Sequence, residues 1–346
     1  MQYSFSDTRA VVVGMGLHGI GLSALLLERG GQIAGASDPR LAGRPLGEVL
    51  ARRDDQQLSG LEVVAGVEEL LGRVDGANLA LIAAPVEIEE LQVMTLQCFS
   101  AGMNVLTIHE DAFDPPAEWA RLIDAQARAH GVSFLATGVQ DVWWVHLPAV
   151  AAGSMAALTA VRARHAIDLE QASRGYGELL SLGEDPAVFA QIRDQFLLAG
   201  SSILGAPLRV LARYLGLTPA EIEREIEPVL ASRALRWRLG ERDIAPGTLA
   251  GFSEKATFET AEGVSFSGTF YFCLTDPDQP YDELVLEGDP TLRIEHRPFP
   301  GDRITDTIPI ARIPDLIAAP PGLHSVTDFP PARYRHRAIA PSNVPN

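Results

Sequence analysis

Short apolar runs alternate with helical patterns through the first 137 residues of the chain. Five of these runs read as β-strands: RAVVVG, QIAGAS, NLALIAA, MNVLTI and VSFLAT. They are almost continuously apolar, as parallel strands are when helices cover both faces of their sheet. Strands that alternate with helices form βαβ units. We therefore predict an α/β fold for residues 1–137, a Rossmann-type doubly wound parallel sheet.

The pattern changes in residues 138–304. Longer segments such as Arg233–Glu241 and Ser265–Leu274 alternate apolar and polar residues with a period of two, which is typical of antiparallel strands with one packed face. Helical patterns cover residues 186–214. These features predict a second, α+β domain that is built on a mostly antiparallel sheet.

The end of the chain holds one more helical pattern. Thr305–Ala318 reads as a helix that stops before Pro320, because prolines and a glycine follow it. Residues 331–346 are rich in Pro, Arg and Ala, and we predict an extended tail for them.

Composition and charge narrow the range of partners. The chain has 346 residues, 47% of them hydrophobic, and a formal net charge of -17. Nucleic-acid binding draws on clustered Lys and Arg, so we expect a small-molecule partner and no nucleic acid. The two cysteines, Cys98 and Cys273, lie in apolar segments and do not predict disulfides or a zinc site. With no signal peptide and no apolar stretch of the ~18 residues that span a bilayer, we expect no membrane contact and a cytoplasmic protein.

A glycine-rich turn directly follows the first predicted strand. Gly14, Gly16 and Gly19 have the G-x-G-x-x-G spacing, and a helical pattern comes after them. In this context the glycines allow a tight turn, a close approach of the backbone to a pyrophosphate, and close packing of helix on strand. We predict a dinucleotide site whose turn also contains Met15, Leu17 and His18. His18 either contacts a phosphate group or faces solvent.

Two further segments are predicted to contact the dinucleotide. Asp38 ends the second strand, where a carboxylate binds the ribose hydroxyls of NAD, whereas Arg40 is placed to pair with the 2′-phosphate of NADP. The cofactor is therefore NAD or NADP, and the sequence leaves this choice open. Ala83, Ala84 and Pro85 follow the fourth strand and are expected on the nicotinamide side, where small residues permit close contact.

Several stretches of the chain together resemble the 2,4-diaminopentanoate dehydrogenase family, which includes the native amine dehydrogenases and is distantly similar to dihydrodipicolinate reductase. The stretches are SDPRLAGRPLGEVL, LEVVAGVEELL, AGMNVLTIHEDAF, HGVSFLATGV, EIEREIEPVL and IPDLIAAPPGL. The resemblance implies an NAD(P)-dependent oxidoreductase that interconverts an amine with a carbonyl compound and ammonia. It also implies that residues 305–330 return to pack on the first domain, and that residues 138–304 bind substrate and form a homodimer.

The resemblance also assigns a catalytic residue. In this family a glutamate after the strand equivalent to MNVLTI works on the substrate nitrogen, and the matching residue in this chain is Glu110. A carboxylate at this position can accept the proton of the amine and activate water against the iminium. Asp111 is expected to be an acid of a helix first turn. His109 either orients Glu110 or contacts substrate, or it is a structural residue at a strand end.

The chain departs from the family at Gly138–Pro148. Gln140 and Asp141 replace an Asn-Pro pair, and Trp143 and Trp144 follow. We predict that Gln140 binds the carboxamide or the substrate, and that the two tryptophans either line the substrate pocket or pack between helices and domains. Tyr176, in the segment SRGYG, is a further candidate for substrate contact.

Other chemistries find no motif in the sequence. There is no metal-ligand spacing, no nucleophile elbow and no P-loop. Two alternatives to the amine dehydrogenase remain: a reductase of imines or of the dihydrodipicolinate reductase type that uses no free ammonia, and a non-catalytic regulatory protein that binds a dinucleotide. The altered turn at Gly138–Pro148 is what suggests the second alternative.

Overall fold

The computed structural model describes residues 4–170, 174–198, 202–274, 282–297 and 301–335. The chain divides into two compact units. The first unit is formed within Met1–Val142 and Asp302–Asn346, and the second within Trp143–Gly301.

The strands are numbered in chain order. They are β1 (Arg9–Val13), β2 (Gln32–Ser37), β3 (Val63–Val64), β4 (Leu79–Ile82), β5 (Asn104–Thr107), β6 (Ser133–Ala136), β7 (Ala157–Asp168), β8 (Glu223–Leu230), β9 (Leu235–Trp237), β10 (Arg242–Ile244), β11 (Leu249–Glu259), β12 (Ser265–Cys273), β13 (Asp282–Asp289), β14 (Leu292–His296) and β15 (Gly322–His324).

The α-helices follow the same order. They are α1 (Leu17–Glu28), α2 (Leu46–Val49), α3 (Val67–Arg73), α4 (Ile88–Ser100), α5 (Ala117–His130), α6 (Leu147–Ala152), α7 (Arg174–Leu179), α8 (Phe189–Leu198), α9 (Gly205–Tyr214) and α10 (Gly301–Ala318). A π-helix covers Gln140–His146, and short 3₁₀ turns cover Phe5–Asp7, Gln56–Leu58, Glu110–Ala112, Pro186–Val188 and Val326–Asp328.

The first unit contains a seven-stranded sheet in the order β15-β6-β5-β4-β1-β2-β3. Every neighbouring pair in it is parallel, so the predicted Rossmann-type sheet is confirmed. The central strands carry fully buried apolar side chains, as strands covered on both faces do. The strand order reverses between β1 and β4, which makes their carboxyl ends the place where such sheets bind ligands.

The end of the chain completes this sheet. Strand β15 adds in parallel to β6 at the edge of the sheet, and helix α10 precedes it. Helix α10 ends at Ala318, as the sequence predicts, but begins at Gly301, four residues before the predicted Thr305. Residues 331–335 form neither helix nor strand, and the rest of the predicted tail lies outside the described residues.

The second unit contains a six-stranded sheet in the order β14-β13-β7-β12-β11-β8. Only the pair β7 and β12 is parallel among its neighbouring strands, so the prediction of an α+β unit on a mostly antiparallel sheet is confirmed. Its hydrophobic core includes Phe266 and Phe270 of β12 and Leu208 of α9.

One strand prediction in this unit is wrong. The sequence predicts a long strand at Arg233–Glu241, whereas the structure has only β9, which forms a small hairpin with β10. The chain turns at Glu241, whose φ is 54°. The Trp237 ring lies over Gly177 and Gly240, which have no side chain to displace it. The strand therefore ends at Trp237, where the ring is buried.

Candidate functional site

The glycine turn between β1 and α1 is shaped by close approaches of the backbone. Gly14 has a φ of +87°, and a Cβ there would lie 2.7 Å from the backbone nitrogen of Ala84. A Cβ on Gly19 would overlap the carbonyl oxygen of Gly14, whereas one on Gly16 would meet no atom within 4 Å. Gly14 and Gly19 are therefore required by the protein itself, and Gly16 leaves open space. That space is what a bound pyrophosphate needs at the start of a helix.

Asp38 connects the end of β2 to the glycine turn. Its carboxylate accepts hydrogen bonds from the backbone N–H of Met15 at 3.0 Å and of Arg40 at 2.9 Å. Asp38 is 3% exposed, whereas 76% of the Arg40 side chain is exposed, with its Nε 3.7 Å from Asp38 Oδ1. A carboxylate has about four lone-pair sites, so two remain for further donors such as ribose hydroxyls.

A groove of about 600 Å³ runs along the carboxyl ends of the first four strands. It brings together five residues that the sequence predicts as cofactor contacts: Gly14, Asp38, Arg40, Ala84 and Pro85. The other predicted cofactor contacts, Met15, Gly16, Leu17, His18, Gly19 and Ala83, do not line it. A dinucleotide fits this arrangement, because the groove joins the acid of β2 to the glycine turn.

One wall of this groove is not among the contacts predicted from the sequence. Ala65, Gly66 and Val67, at the start of α3, line it together with Ser37 and Val86. Small residues directly after a third apolar strand were the available signal, since the carboxyl ends of parallel strands share one edge of the sheet. The stretch LEVVAGVEELL served only for the family resemblance.

Glu110 is the first residue of a 3₁₀ turn that follows β5, and it is exposed. His109, directly before it, donates from Nε2 to the carbonyl oxygen of Val86 at 2.6 Å, while its backbone N–H donates to Thr107 Oγ1. The imidazole therefore joins the end of β5 to the segment after β4. This bond supports the structural alternative for His109 and holds the strand end that presents Glu110.

His18, on the first turn of α1, is bonded to helix α10. Its Nδ1 lies 2.8 Å from Oδ1 of Asp306, a residue that no motif of the sequence marks. Burial lowers the pKa of His18, but the hydrogen bond to Asp306 and the charges of Asp306, Asp302 and Glu110 outweigh it and raise the pKa above 6.5. The charge of Glu110 is thus one of those that raise the pKa of His18.

The turn after β6 is held by a buried ion pair. Arg312 of α10 donates from Nε and Nη2 to both oxygens of Asp141, each at 2.7 Å, and neither side chain is exposed. Thr137 donates to the same carboxylate at 2.8 Å. The amide oxygen of Gln140 lies 2.7 Å from the position of a Cβ on Gly138. Gln140 is therefore folded over the turn that Asp141 anchors.

The remaining predicted substrate residues belong to the second unit. Trp144 is 1% exposed and packs against His165, with ring centroids 5.8 Å apart, so its surroundings give it the packing role. Trp143 is partly buried and makes an edge contact with His296 at 5.6 Å. The side chain of Tyr176 lies outside the described residues.

Among the described residues no cluster of His, Cys, Asp or Glu could hold a metal ion, and no helix combines the length and the hydropathy of a membrane span. Both cysteines are free and buried, and burial raises the pKa of each thiol to about 12. Neither is therefore a thiolate nucleophile near neutral pH.

Comparisons with known proteins found similar proteins among solved structures. No protein-family model matches the chain, and no curated protein sequence matches it. Among solved structures, an amine dehydrogenase from Mycobacterium smegmatis is 29% identical, with a TM-score of 0.84 over 96% of this chain and 99% of that one.

More distant structures share the fold. They include a myo-inositol 2-dehydrogenase from Lactobacillus plantarum, 16% identical, with a TM-score of 0.50 over 84% of this chain and 77% of that one. A biliverdin reductase from Synechocystis, solved with biliverdin and NADP⁺, is 14% identical, with a TM-score of 0.52 over 84% and 80%. The predicted resemblance is confirmed, and the chain is a dinucleotide-dependent oxidoreductase.

Proposed function

We propose that the protein is an NAD(P)-dependent amine dehydrogenase, which oxidises an amine to a carbonyl compound and ammonia and catalyses the reverse reductive amination. The observation that carries the proposal is the position of Glu110, exposed after β5, which neighbours β4 in the sheet whose carboxyl ends border the groove. The likeness to the Mycobacterium smegmatis enzyme over nearly the whole chain supports the same activity.

The first unit fits a nicotinamide dinucleotide. Open space at Gly16 accommodates the pyrophosphate, and the remaining lone pairs of Asp38 suit ribose hydroxyls. Hydride acceptance in deamination, and hydride donation in the reverse direction, is the chemistry that a bound nicotinamide supplies. The protein residues then have to manage protons and water.

Glu110 is proposed as the general acid and base. The Glu110 carboxylate takes a proton from the substrate ammonium group, which makes the amine neutral so that the carbon can release hydride. Once that proton has been released to solvent, the regenerated carboxylate stabilises the cationic iminium and takes a proton from the water that attacks it. Gln140, folded over Gly138, is proposed to donate its amide N–H groups to the carboxamide or the substrate.

Asp38 favours NAD over NADP in this proposal. Its buried carboxylate would repel a 2′-phosphate, while Arg40 extends into solvent. We expect NADH to give the higher kcat/KM, and Asp38→Ser to shift the NADPH to NADH ratio of kcat/KM by about tenfold, or about 1.4 kcal/mol, toward NADPH. A wild type that prefers NADPH, or a variant with the same ratio, would contradict this assignment.

We also propose a homodimer formed through the sheet of the second unit, in a cytoplasmic protein. The residues Arg162, Ser267, Thr269 and Lys255 lie side by side across β7, β12 and β11, and they are exposed or half-buried. This polar face is the one that we propose meets a second copy of the same sheet. Light scattering should give twice the 37.2 kDa chain mass, and Ser267→Glu should shift the mass toward the monomer.

The decisive experiment follows NADH and NADPH absorbance with small and aryl-bearing ketones and aldehydes, with and without ammonium. We expect ammonium-dependent oxidation that falls about 100-fold or more in Glu110→Gln. Asp111→Asn is the matched control, because it removes the neighbouring carboxylate, and it should retain activity within about threefold.

Two outcomes would reject the proposal. Turnover that is indifferent to ammonium favours the reductase of imines or of the dihydrodipicolinate reductase type. Tight dinucleotide binding without oxidation by any carbonyl compound and ammonia favours the non-catalytic regulatory protein.

A further inference from the structure

Helix α10 places a carboxylate against α1, at a position where the sequence has a glycine. The glycine spacing continues beyond the motif to Gly21, which lies within α1. A Cβ on Gly21 would overlap the carboxylate of Asp306. Asp306 therefore lies directly on the backbone of α1, one turn from His18. The missing side chain at Gly21 and the bond from His18 to Asp306 together form a built dyad.

The dyad has the geometry of an oriented base. Nδ1 of His18 donates to Asp306, so Nε2 is the nitrogen left for proton exchange. A carboxylate that binds one imidazole nitrogen fixes the tautomer and stabilises the imidazolium, as the aspartate of a catalytic triad does. The His18 side chain is 30% exposed and that of Asp306 only 11%, so the imidazole bridges the interior and the solvent.

The surroundings of the dyad favour proton binding at His18. Asp306 and Asp302 of α10 and Glu110 after β5 all raise the pKa of His18. The Nδ1 of the imidazole is bonded to Asp306 and is therefore not a donor to a phosphate. A proton is attracted to these carboxylates, and Glu110, which the proposed function assigns to the reaction, is one of them.

We propose that His18 and Asp306 form a proton relay that exchanges protons between Glu110 and solvent during turnover. The inference rests on the proposed function. In deamination, protonated Glu110 gives its proton through site water to Nε2 of His18, while Nδ1–H stays bonded to Asp306. The imidazolium then releases the Nε2 proton to bulk water, and both groups return to their starting states. Reductive amination runs the same transfers in reverse.

The first test compares His18→Gln and Asp306→Asn with the wild type across pH 5–9. We expect kcat to fall about 10- to 100-fold in both variants, with a changed pH profile and with the cofactor KM within about threefold. Added imidazole should restore the rate in His18→Ala, but not in Glu110→Gln. His130→Gln is the control, because His130 is an exposed imidazole at the end of α5, and it should match the wild type.

Two results would overturn the relay. An unchanged kcat and pH profile in His18→Gln would show that no proton passes through the imidazole. A rise of the cofactor KM that accounts for the whole loss, without rescue by imidazole, would make His18 a cofactor contact.

The second test needs no turnover. NMR titration of the His18 ring in the cofactor-free protein should give a lower pKa in Asp306→Asn and in Glu110→Gln than in the wild type. An unchanged value in Glu110→Gln would overturn the coupling. A wild type without ammonium-dependent turnover would reject the proposed function alone, because this titration tests the dyad independently.

Discussion

The turns that follow β1 and β6 lie at the same edge of one sheet and are held in different ways. After β1 the backbone is fixed mainly by other backbone groups, as Gly14 donates to the Ser37 carbonyl at 2.8 Å and carries no side chain, and Asp38 adds one side-chain contact, to the Met15 N–H. After β6 the chain is fixed by side chains, with Asp141 bound by Thr137 and Arg312. The turn after β1 depends mainly on the absence of side chains at its glycines, whereas the turn after β6 depends on a buried ion pair.

The difference follows from what each turn has to approach. A pyrophosphate is bound by backbone N–H groups, which side chains would cover. The turn after β6 carries Gln140 instead, and the binding role proposed for its amide would require it to be held in one position. A buried bidentate ion pair can do this, because its two parallel hydrogen bonds fix the orientation of both side chains.

Breaking the charged turn should have the largest effect. Arg312→Met leaves Asp141 buried without its cation, so we expect a loss of about 3–5 kcal/mol in the free energy of unfolding, measured in urea. Arg335→Met is the control, because Arg335 binds Asp315 in a partly exposed pair and should cost about 1 kcal/mol or less. Asp141→Asn in the Arg312→Met background should recover part of the loss. A loss below about 1 kcal/mol in Arg312→Met would contradict the account.

The glycine turn should respond to substitution at two of its positions in opposite ways. Gly19→Ala forces a Cβ against the Gly14 carbonyl and should cost about 1–3 kcal/mol of stability. Gly16→Ala meets no protein atom, so its stability should stay within about 0.5 kcal/mol of the wild type. Its affinity for NADH in calorimetry should nevertheless fall at least about tenfold, because the Cβ occupies the pyrophosphate space. Equal stabilities, or unchanged affinity in Gly16→Ala, would remove the basis of the comparison.

The smallest effect is expected at an exposed pair of the same kind. Asp124 of α5 accepts from Arg128 and from the backbone N–H of Leu323, and its hydrogen bond with Arg128 lowers the pKa of the carboxyl group. A depressed carboxyl pKa stabilises the fold above the unfolded value of 3.8, and this stability is lost as the pH falls through the folded value. Asp124→Asn should therefore cost less than about 1 kcal/mol at pH 7, and the difference from wild type should vanish near pH 2–3. A difference that is independent of pH would contradict this assignment.

The turn after β1 can be predicted from the sequence, whereas the side chains that hold the turn after β6 cannot. Apolar runs, glycine spacing and Asp38 are local signals, and each acts within about 25 residues of chain. Asp141 and Arg312 are 171 residues apart, and His18 and Asp306 are 288 apart, so no local pattern announces either pair. An arginine within the apolar segment IPIARIPDLIA was the one visible hint.

Alternation of polar and apolar residues predicts the wrong structure where packing overrides it. The segment Arg233–Glu241 has the period of a strand, yet its Trp237 ring is buried over two glycines and the strand ends at that residue. At Trp143 and Trp144 the sequence left pocket and packing equal. The contact of Trp144 with His165, a residue 21 positions along the chain, favours packing for that ring.

The return of α10 and β15 to the first sheet also sets an order of events during synthesis. Arg312 lies 171 positions after Asp141 and cannot meet it until that stretch has been synthesised, which takes about 10 to 30 seconds at about 5–20 residues per second. During that interval β6 is an open sheet edge, and Asp141 is a carboxylate without its cation. The nascent chain therefore forms α1 among its first elements, but it completes the surroundings of His18 and Gln140 among its last.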